Sequence, residues 1–79
     1  MEIVEFKSAD PFYEKELSGL KNNTVRFDDK KERFDILREF KKGDELGIVI
    51  TDPKTGFSFS RHVRDVSIYN EIFIITWEG

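Results

Sequence analysis

The residues best suited to chemistry lie between Gly19 and Arg26, where the chain reads Gly-x-Lys-x-x-Thr-x-Arg. This motif places the amine of Lys21, the hydroxyl of Thr24 and the guanidinium of Arg26 where a helix is expected to end and a strand to begin. Because side chains alternate along a strand, Thr24 and Arg26 are predicted to share one face. Three polar groups beside a hydrophobic strand are more than a turn requires, so we predict that this segment carries the function.

Each of these three side chains also has an ordinary structural explanation. Three roles are open to Lys21. It binds a phosphate as a cation, it acts as a general base if burial favours its neutral amine, or it lies in solvent as an ordinary loop lysine. Thr24 is either a nucleophile activated by Lys21 or a β-branched residue suited to a strand. Arg26 either holds a phosphate or a base, or it pairs with Asp28 or Asp44 and fastens the strand to a turn.

Outside the motif, Arg61 interrupts an otherwise apolar strand face that includes Phe59 and Val63. This position predicts either a polar floor for a cleft or a partner carboxylate. His62 is the only histidine, and the chain has no cysteine, so we expect neither a metal site nor a disulfide. Trp77 is expected in the core or over the site, and no cofactor motif is present.

The composition indicates one small globular domain over residues 1–79. With eight Phe and no cysteine, its core must come from aromatic and aliphatic side chains alone. The acidic N-terminal segment is unlike a secretory signal, and no apolar run approaches the ~20 residues that cross a bilayer. We therefore expect a soluble cytoplasmic protein that does not associate with membranes.

Basic residues gather around the motif, although the net charge of the chain is −3. Residues 19–43 carry eight bases against five acids, whereas residues 44–79 carry three bases against six acids. The negative total argues against strong non-specific binding to nucleic acid. The bases from Lys30 to Lys42 belong either to a functional surface or to the solvated face of a helix.

Periodicity and turn residues predict the order β-α-β-α-β-β-β. Strands are expected at 2–7, 23–28, 46–51, 57–69 and 71–78, with helices from Asp10-Pro11 to Ser18 and near 30–40. A reversal of the apolar pattern predicts a bulge near Arg64-Asp65. The fold class is therefore α+β, a small closed or half-closed β-barrel of about five strands, because closure removes exposed edges.

Apolar spacing also predicts which side chains face the core. In the first helix, Tyr13, Leu17 and Leu20 are expected to point inward, and Gly19 is expected to end the helix in the left-handed region. In the second strand, Val25 and Phe27 are expected to face the core, with the polar motif residues on the other side. The unbroken apolar run 72–75 predicts a last strand that is buried on both faces.

The segment from Gly19 to Arg26, followed by Lys42-Gly43-Asp44 before a strand, resembles the ASCH (activating signal cointegrator homology) family. These proteins are relatives of the PUA domain, and the likeness extends loosely over residues 12–75 and to short phage and prophage members. It implies a PUA-like barrel with a cleft beside the first helix that holds RNA, a nucleotide or a modified base. Gly19, Lys21, Thr24, Arg26 and Arg61 are the predicted ligand-binding residues.

Some small bacterial members of this family are amidohydrolases that cleave N4-acetylcytidine with a Lys, a Thr and a Glu. Lys21 and Thr24 occupy the matching motif positions. The family's glutamate lies in an extra segment before the last strand, for which Val66 to Asn70 leaves no room. Glu71 and Glu78 are the nearest glutamates by sequence, and we take Glu71 as the predicted third catalytic residue.

Three functional hypotheses follow from the sequence. The first is a binding module for RNA, a nucleotide or a nucleoside, and the second is an amidohydrolase acting on an acylated pyrimidine nucleoside. The third is a phage-type accessory protein that binds another protein through its charged helix at 30–42. The expected oligomeric state is a monomer or a weak dimer formed through the edge of the first strand.

Overall fold

One mixed sheet and two short helices make up the fold. The computed structural model describes residues 1–78. Its elements are β1 (Glu2–Lys7), α1 (Phe12–Ser18), β2 (Asn23–Phe27), α2 (Glu32–Glu39), β3 (Leu46–Thr51), β4 (Ser58–Tyr69) and β5 (Ile72–Trp77). All seven predicted elements are confirmed in their predicted order.

The five strands form a sheet with the order β1-β3-β4-β5-β2 that curls into a half-barrel. Only β1 and β3 are parallel, and the other pairs are antiparallel. The long strand β4 pairs first with β3 and then with β5, and its register shifts between Val63 and Asp65. This bulge confirms the prediction from the apolar pattern, and such a bulge lets one strand bend between two parts of a sheet.

The core fills the concave side of the sheet, and α2 covers it. Phe34 and Leu37 of α2 are almost completely buried. The ring of Phe34 lies edge-on to Phe6 of β1 and to Phe73 of β5, with centroid distances of 5.7 Å and 4.9 Å. These contacts connect the edge strand β1 with β5, which lies next to the opposite edge, so α2 packs across the open side of the half-barrel.

The inward face of α1 differs from the prediction. Leu17 and Leu20 are 39% and 83% exposed, and the buried residues of this helix are Tyr13 and Glu16. The helix has only seven residues, and Gly19 ends it with a φ of 87°, so Leu20 lies beyond it. Fewer than two full turns give a single inward stripe at i and i+3, which here includes a glutamate.

The faces of β2 are also the reverse of the prediction. Thr24 is 2% exposed and Arg26 is half-buried, whereas Val25 and Phe27 are 52% and 71% exposed. β2 is an edge strand, and no ladder joins it to β1, the other edge. The inward side of β2 faces the backbone carbonyl of Lys7 at the end of β1, which Arg26 satisfies with a hydrogen bond and an apolar side chain could not.

The prediction of a last strand buried on both faces was wrong as well. In β5 the burial alternates: Phe73, Ile75 and Trp77 are buried, whereas Ile74 is 39% exposed. Ile74 pairs with Val25 on the outer side of the sheet, the same side as the exposed Phe27. The half-barrel thus has one apolar interior, and its outer surface near β2 also carries apolar side chains.

Candidate functional site

A cavity of about 430 Å³ opens between α1, the end of β1 and β2. We call it the motif cleft. Its volume lies within the range of sites for small organic ligands. Nine residues line it: Lys7, Ser8, Ala9, Phe12, Glu16, Lys21, Thr24, Val25 and Arg26.

An ion pair between α1 and the motif forms part of the cleft wall. The Nζ atom of Lys21 lies 3.5 Å from Oε2 of Glu16 and donates a hydrogen bond to the carbonyl of Asn23 at 3.1 Å. Glu16 is 1% exposed, and its Oε1 accepts no hydrogen bond from residues 1–78. A buried carboxylate with a hydrogen-bond donor on only one of its two oxygens raises the free energy of the folded state. A ligand that donates to Oε1 would remove that penalty.

Arg26 is the second polar group of the cleft, and it connects β2 to the end of β1. Its Nε donates to Oγ1 of Thr24 at 2.9 Å, its Nη1 to the carbonyl of Lys7 at 2.7 Å, and its Nη2 to Oγ of Ser8 at 2.6 Å. Burial lowers the pKa of Arg26 from its ordinary value, and the nearby carboxylate of Glu16 opposes that shift. Arg26 therefore replaces the missing ladder between the two edge strands.

An exposed aromatic ring stands at the rim of the cleft. Phe12, the first residue of α1, is 55% exposed, and the Nζ atom of Lys21 lies 5.6 Å from its ring centroid. Such a ring offers a flat apolar surface beside a buried acceptor and a cation. A planar ligand with polar edges can use all three groups.

The structure brings Lys21, Thr24 and Arg26 into one cleft, as the sequence predicted. Gly19 lies nearby as the left-handed residue that ends α1 and does not line the cavity. The alternative pairing of Arg26 with Asp28 or Asp44 is not found, because its donors go to Lys7, Ser8 and Thr24.

Arg61 and Glu71 lie elsewhere. Arg61 donates to the carbonyl of Leu17 at 3.1 Å and covers the ring of Phe59 at 4.6 Å from its centroid. Glu71 precedes Ile72, which pairs with the last residue of β2, so Glu71 is at the end of β2 opposite Lys21. Its carboxylate is 3.5 Å from Nζ of Lys30 and 69% exposed. Neither residue lines the motif cleft.

Sequence reasoning missed Glu16, Phe12 and Ser8. The available signal was the shortness of α1: once Gly19 ends the helix, Tyr13 has only one inward partner at i+3, and that partner is Glu16. No periodicity argument places a carboxylate inward in preference to a neighbouring leucine. Ser8 and Phe12 carry no motif and become site residues only through the packing of the two edge strands.

Both arginines of α2 are paired within the chain. Arg33 lies 2.8 Å from Asp29, and Arg38 pairs with Asp28 and, at 3.1 Å, with Asp35. Burial alone would raise the pKa of Asp29, but hydrogen bonds from the Lys31 amide and from Arg33 outweigh it and hold that pKa below its ordinary value. Most of the positive charge in this helix is therefore compensated locally.

Comparison with known proteins finds no family model that matches the chain and no curated protein of similar sequence. The resemblance to ASCH proteins therefore stays a prediction from the motif. Among residues 1–78, no helix is long and apolar enough to cross a membrane. Within the same range, no three His, Cys, Asp or Glu side chains form a group that could hold a metal ion.

Proposed function

We propose that the chain is a PUA-like module that binds a nucleoside or nucleotide in the motif cleft. The observation that carries this proposal is the carboxylate of Glu16, which is buried in the cleft wall with one oxygen unpartnered. Nucleobases present N–H donors along one edge, and such donors complement a carboxylate that can only accept. The predicted likeness to nucleic-acid-binding ASCH proteins supports the same ligand class.

Two further features of the cleft suit a base. The exposed ring of Phe12 offers a stacking surface at the rim, and bases commonly stack on aromatic side chains. Lys21 adds a cation that is already held by Glu16 and by the carbonyl of Asn23. The base is thus expected to stack on Phe12 and to donate from its edge to Oε1 of Glu16.

Calorimetric titration with the four common ribonucleosides tests the proposal. Glu16→Gln is expected to weaken binding roughly tenfold or more, because a hydrogen bond to a charged acceptor contributes more than one to a neutral amide. Glu14→Gln is the matched control, since Glu14 lies in the same helix and is exposed. Thermal unfolding of both variants shows whether the fold is intact.

Two results would overturn this proposal. One is that no ribonucleoside binds to the folded wild-type chain. The other is that Glu16→Gln and Glu14→Gln both bind with wild-type affinity, because Glu16 would then take no part in recognition.

A second candidate function is hydrolysis of an N-acylated nucleobase. It is favoured by one observation: the Lys21–Glu16 pair and the hydroxyl of Thr24 line the same cleft. Oγ1 of Thr24 accepts from Arg26, which leaves its own proton to be donated. In this scheme Lys21 first passes its proton to Glu16; Thr24 then attacks the amide carbonyl, Lys21 takes the hydroxyl proton, and Glu16, in the place predicted for Glu71, protonates the departing amine. Water then hydrolyses the acyl-threonine ester, which releases the acid and restores Thr24.

Release of cytidine from N4-acetylcytidine tests this second function. Wild-type chain is expected to release cytidine and acetate, and Thr24→Ala is expected to lose the activity. Thr76→Val is the control, since Thr76 lies on the neighbouring strand β5 outside the cleft. Absence of release by folded wild-type chain rules out hydrolysis of this substrate and leaves the binding proposal untouched.

A further inference from the structure

A second cavity, of about 520 Å³, lies beside the motif cleft and shares Lys7 and Arg26 with it. We call it the basic cavity. Its remaining lining comes from β1, from the segment that starts α2 and from the end of β3: Glu5, Phe6, Lys31, Arg33 and Thr51. Four of these seven residues are cations and one is an anion. The cavity is therefore strongly biased towards a negatively charged ligand.

The two guanidinium groups of this cavity are held in place on one buried ring. The Cζ atoms of Arg26 and Arg33 lie 5.0 Å and 4.1 Å from the centroid of Phe6. Arg33 also donates to the carbonyl of Glu5 at 2.6 Å and to Asp29 at 2.8 Å. Because both groups are fixed before any ligand arrives, little ordering is needed when an anion binds.

Much of the positive charge here has no partner of opposite sign. The donors of Arg26 go to neutral oxygens, and Lys7 and Lys31 form no ion pair within residues 1–78. Within residues 1–78, the Nε atom of Arg33 is buried and has no hydrogen-bond partner. Among the four cations of the cavity only Arg33 has an acidic partner, Asp29, whereas Arg38 of α2, outside the cavity, pairs with two aspartates. An incoming anion would supply the missing charge and acceptors.

We propose that the basic cavity binds a phosphate group of the ligand whose base occupies the motif cleft, an inference that rests on the proposed function. Lys7 and Arg26 line both cavities, so a ligand that reaches past them contacts both. A 5′-phosphate of a mononucleotide and an internal phosphate of a short RNA offer the same chemistry. The experiment distinguishes these two sources.

Calorimetric titrations compare the four ribonucleosides, their 5′-monophosphates and the corresponding homotrinucleotides at low and moderate salt. Wild-type chain is expected to bind the phosphorylated ligand roughly tenfold more tightly than the nucleoside at low salt, and less so as salt rises. Lys31→Glu is expected to abolish that preference and to leave nucleoside affinity unchanged, because Lys31 lines only the basic cavity.

Lys42→Glu is the matched control. It makes the same charge change at an exposed lysine near the opposite end of β1, outside both cavities. This variant is expected to keep the wild-type preference for the phosphorylated ligand. A preference already present for the monophosphates identifies a free nucleotide as the source of the phosphate, and a preference only for the trinucleotides identifies RNA.

Binding of inorganic phosphate separates failure of this proposal from failure of the proposed function. If nucleosides bind but phosphorylated ligands bind no better, or if Lys31→Glu and Lys42→Glu behave alike, the phosphate site is overturned and the base-binding function stands. If no nucleoside binds but phosphate shifts the NMR signals of Lys31 and Arg33, the base-binding function fails and the basic cavity stands as a phosphate site without a base beside it. If neither binds, both proposals are overturned.

Discussion

Two hydrogen-bonded strands of the half-barrel place opposite chemistry on the same inner side. β5 turns Phe73, Ile75 and Trp77 inward, whereas its partner β2 turns Thr24 and Arg26 inward. The two inward residues of β2 are register partners of apolar residues, Thr24 of Ile75 and Arg26 of Phe73. The interior therefore changes from apolar to polar within the width of one strand.

This contrast follows from where each strand lies in the sheet. β5 has a hydrogen-bonded neighbour on both sides, so its inner side chains need only fill space. β2 is an edge, and the gap between it and β1 is bridged by side chains, chiefly by Arg26. An incompletely closed barrel thus leaves a polar seam, and both the motif cleft and the basic cavity lie along it.

The largest effect is expected in the apolar half of the contrast. Phe73→Ala removes a ring that is 0% exposed and packs 4.9 Å from Phe34. The expected loss in the free energy of unfolding is about 3–5 kcal/mol, measured by urea denaturation. Should that variant not fold at all, Phe73→Leu gives a milder test with an expected loss of about 1–2 kcal/mol. If either variant lost less stability than the range expected for it, the inner side of β5 would not be part of the core.

Arg26→Ala tests the polar half of the contrast, at the residue of β2 that pairs with Phe73 in the sheet. It removes the donors to Ser8 and to the Lys7 carbonyl, so we expect a loss of about 2 kcal/mol in the free energy of unfolding. Arg26→Lys is expected to recover only part of it, because an ammonium group does not reproduce the three-way geometry of a guanidinium. Wild-type stability of Arg26→Ala would mean that this side chain does not hold the seam together.

Thr24→Val sharpens the comparison by changing polarity at almost constant volume. The variant deprives Nε of Arg26 of its acceptor, for an expected loss of about 1 kcal/mol by chemical denaturation. Thr76→Val, on β5, is the control, with an expected change within about 0.5 kcal/mol. If valine stabilised the chain at position 24, the inner side of β2 would be apolar in character after all.

Most of the fold could be predicted from the sequence because local patterns determine it. The strand at 46–51 is an apolar run bounded by turn residues, and the reversed pattern around Asp65 revealed the bulge in β4. Gly19 marked the end of α1 correctly. In each case the signal lies within a few consecutive residues, and no distant contact changes it.

The site was predicted only in part, because distant contacts decide it. The motif correctly brought together Lys21, Thr24 and Arg26, but apolar alternation assigned the wrong faces to β2. Hydrophobicity favours Val25 and Phe27 inside, and this preference is overridden by the need of the β1 end for a donor. Glu16 was missed for a related reason: its burial depends on the cleft, which forms only when β1, α1 and β2 meet.

The smallest effect is expected on the outer face of β2. Phe27 is 71% exposed, so Phe27→Thr should change the free energy of unfolding by no more than about 0.5 kcal/mol, since threonine keeps the preference for a strand. Denaturation at two protein concentrations completes the measurement. A loss above about 1.5 kcal/mol that is independent of concentration would place Phe27 inside and reverse the faces of β2. A loss that grows with concentration would instead show that this apolar face is covered by a second copy of the chain.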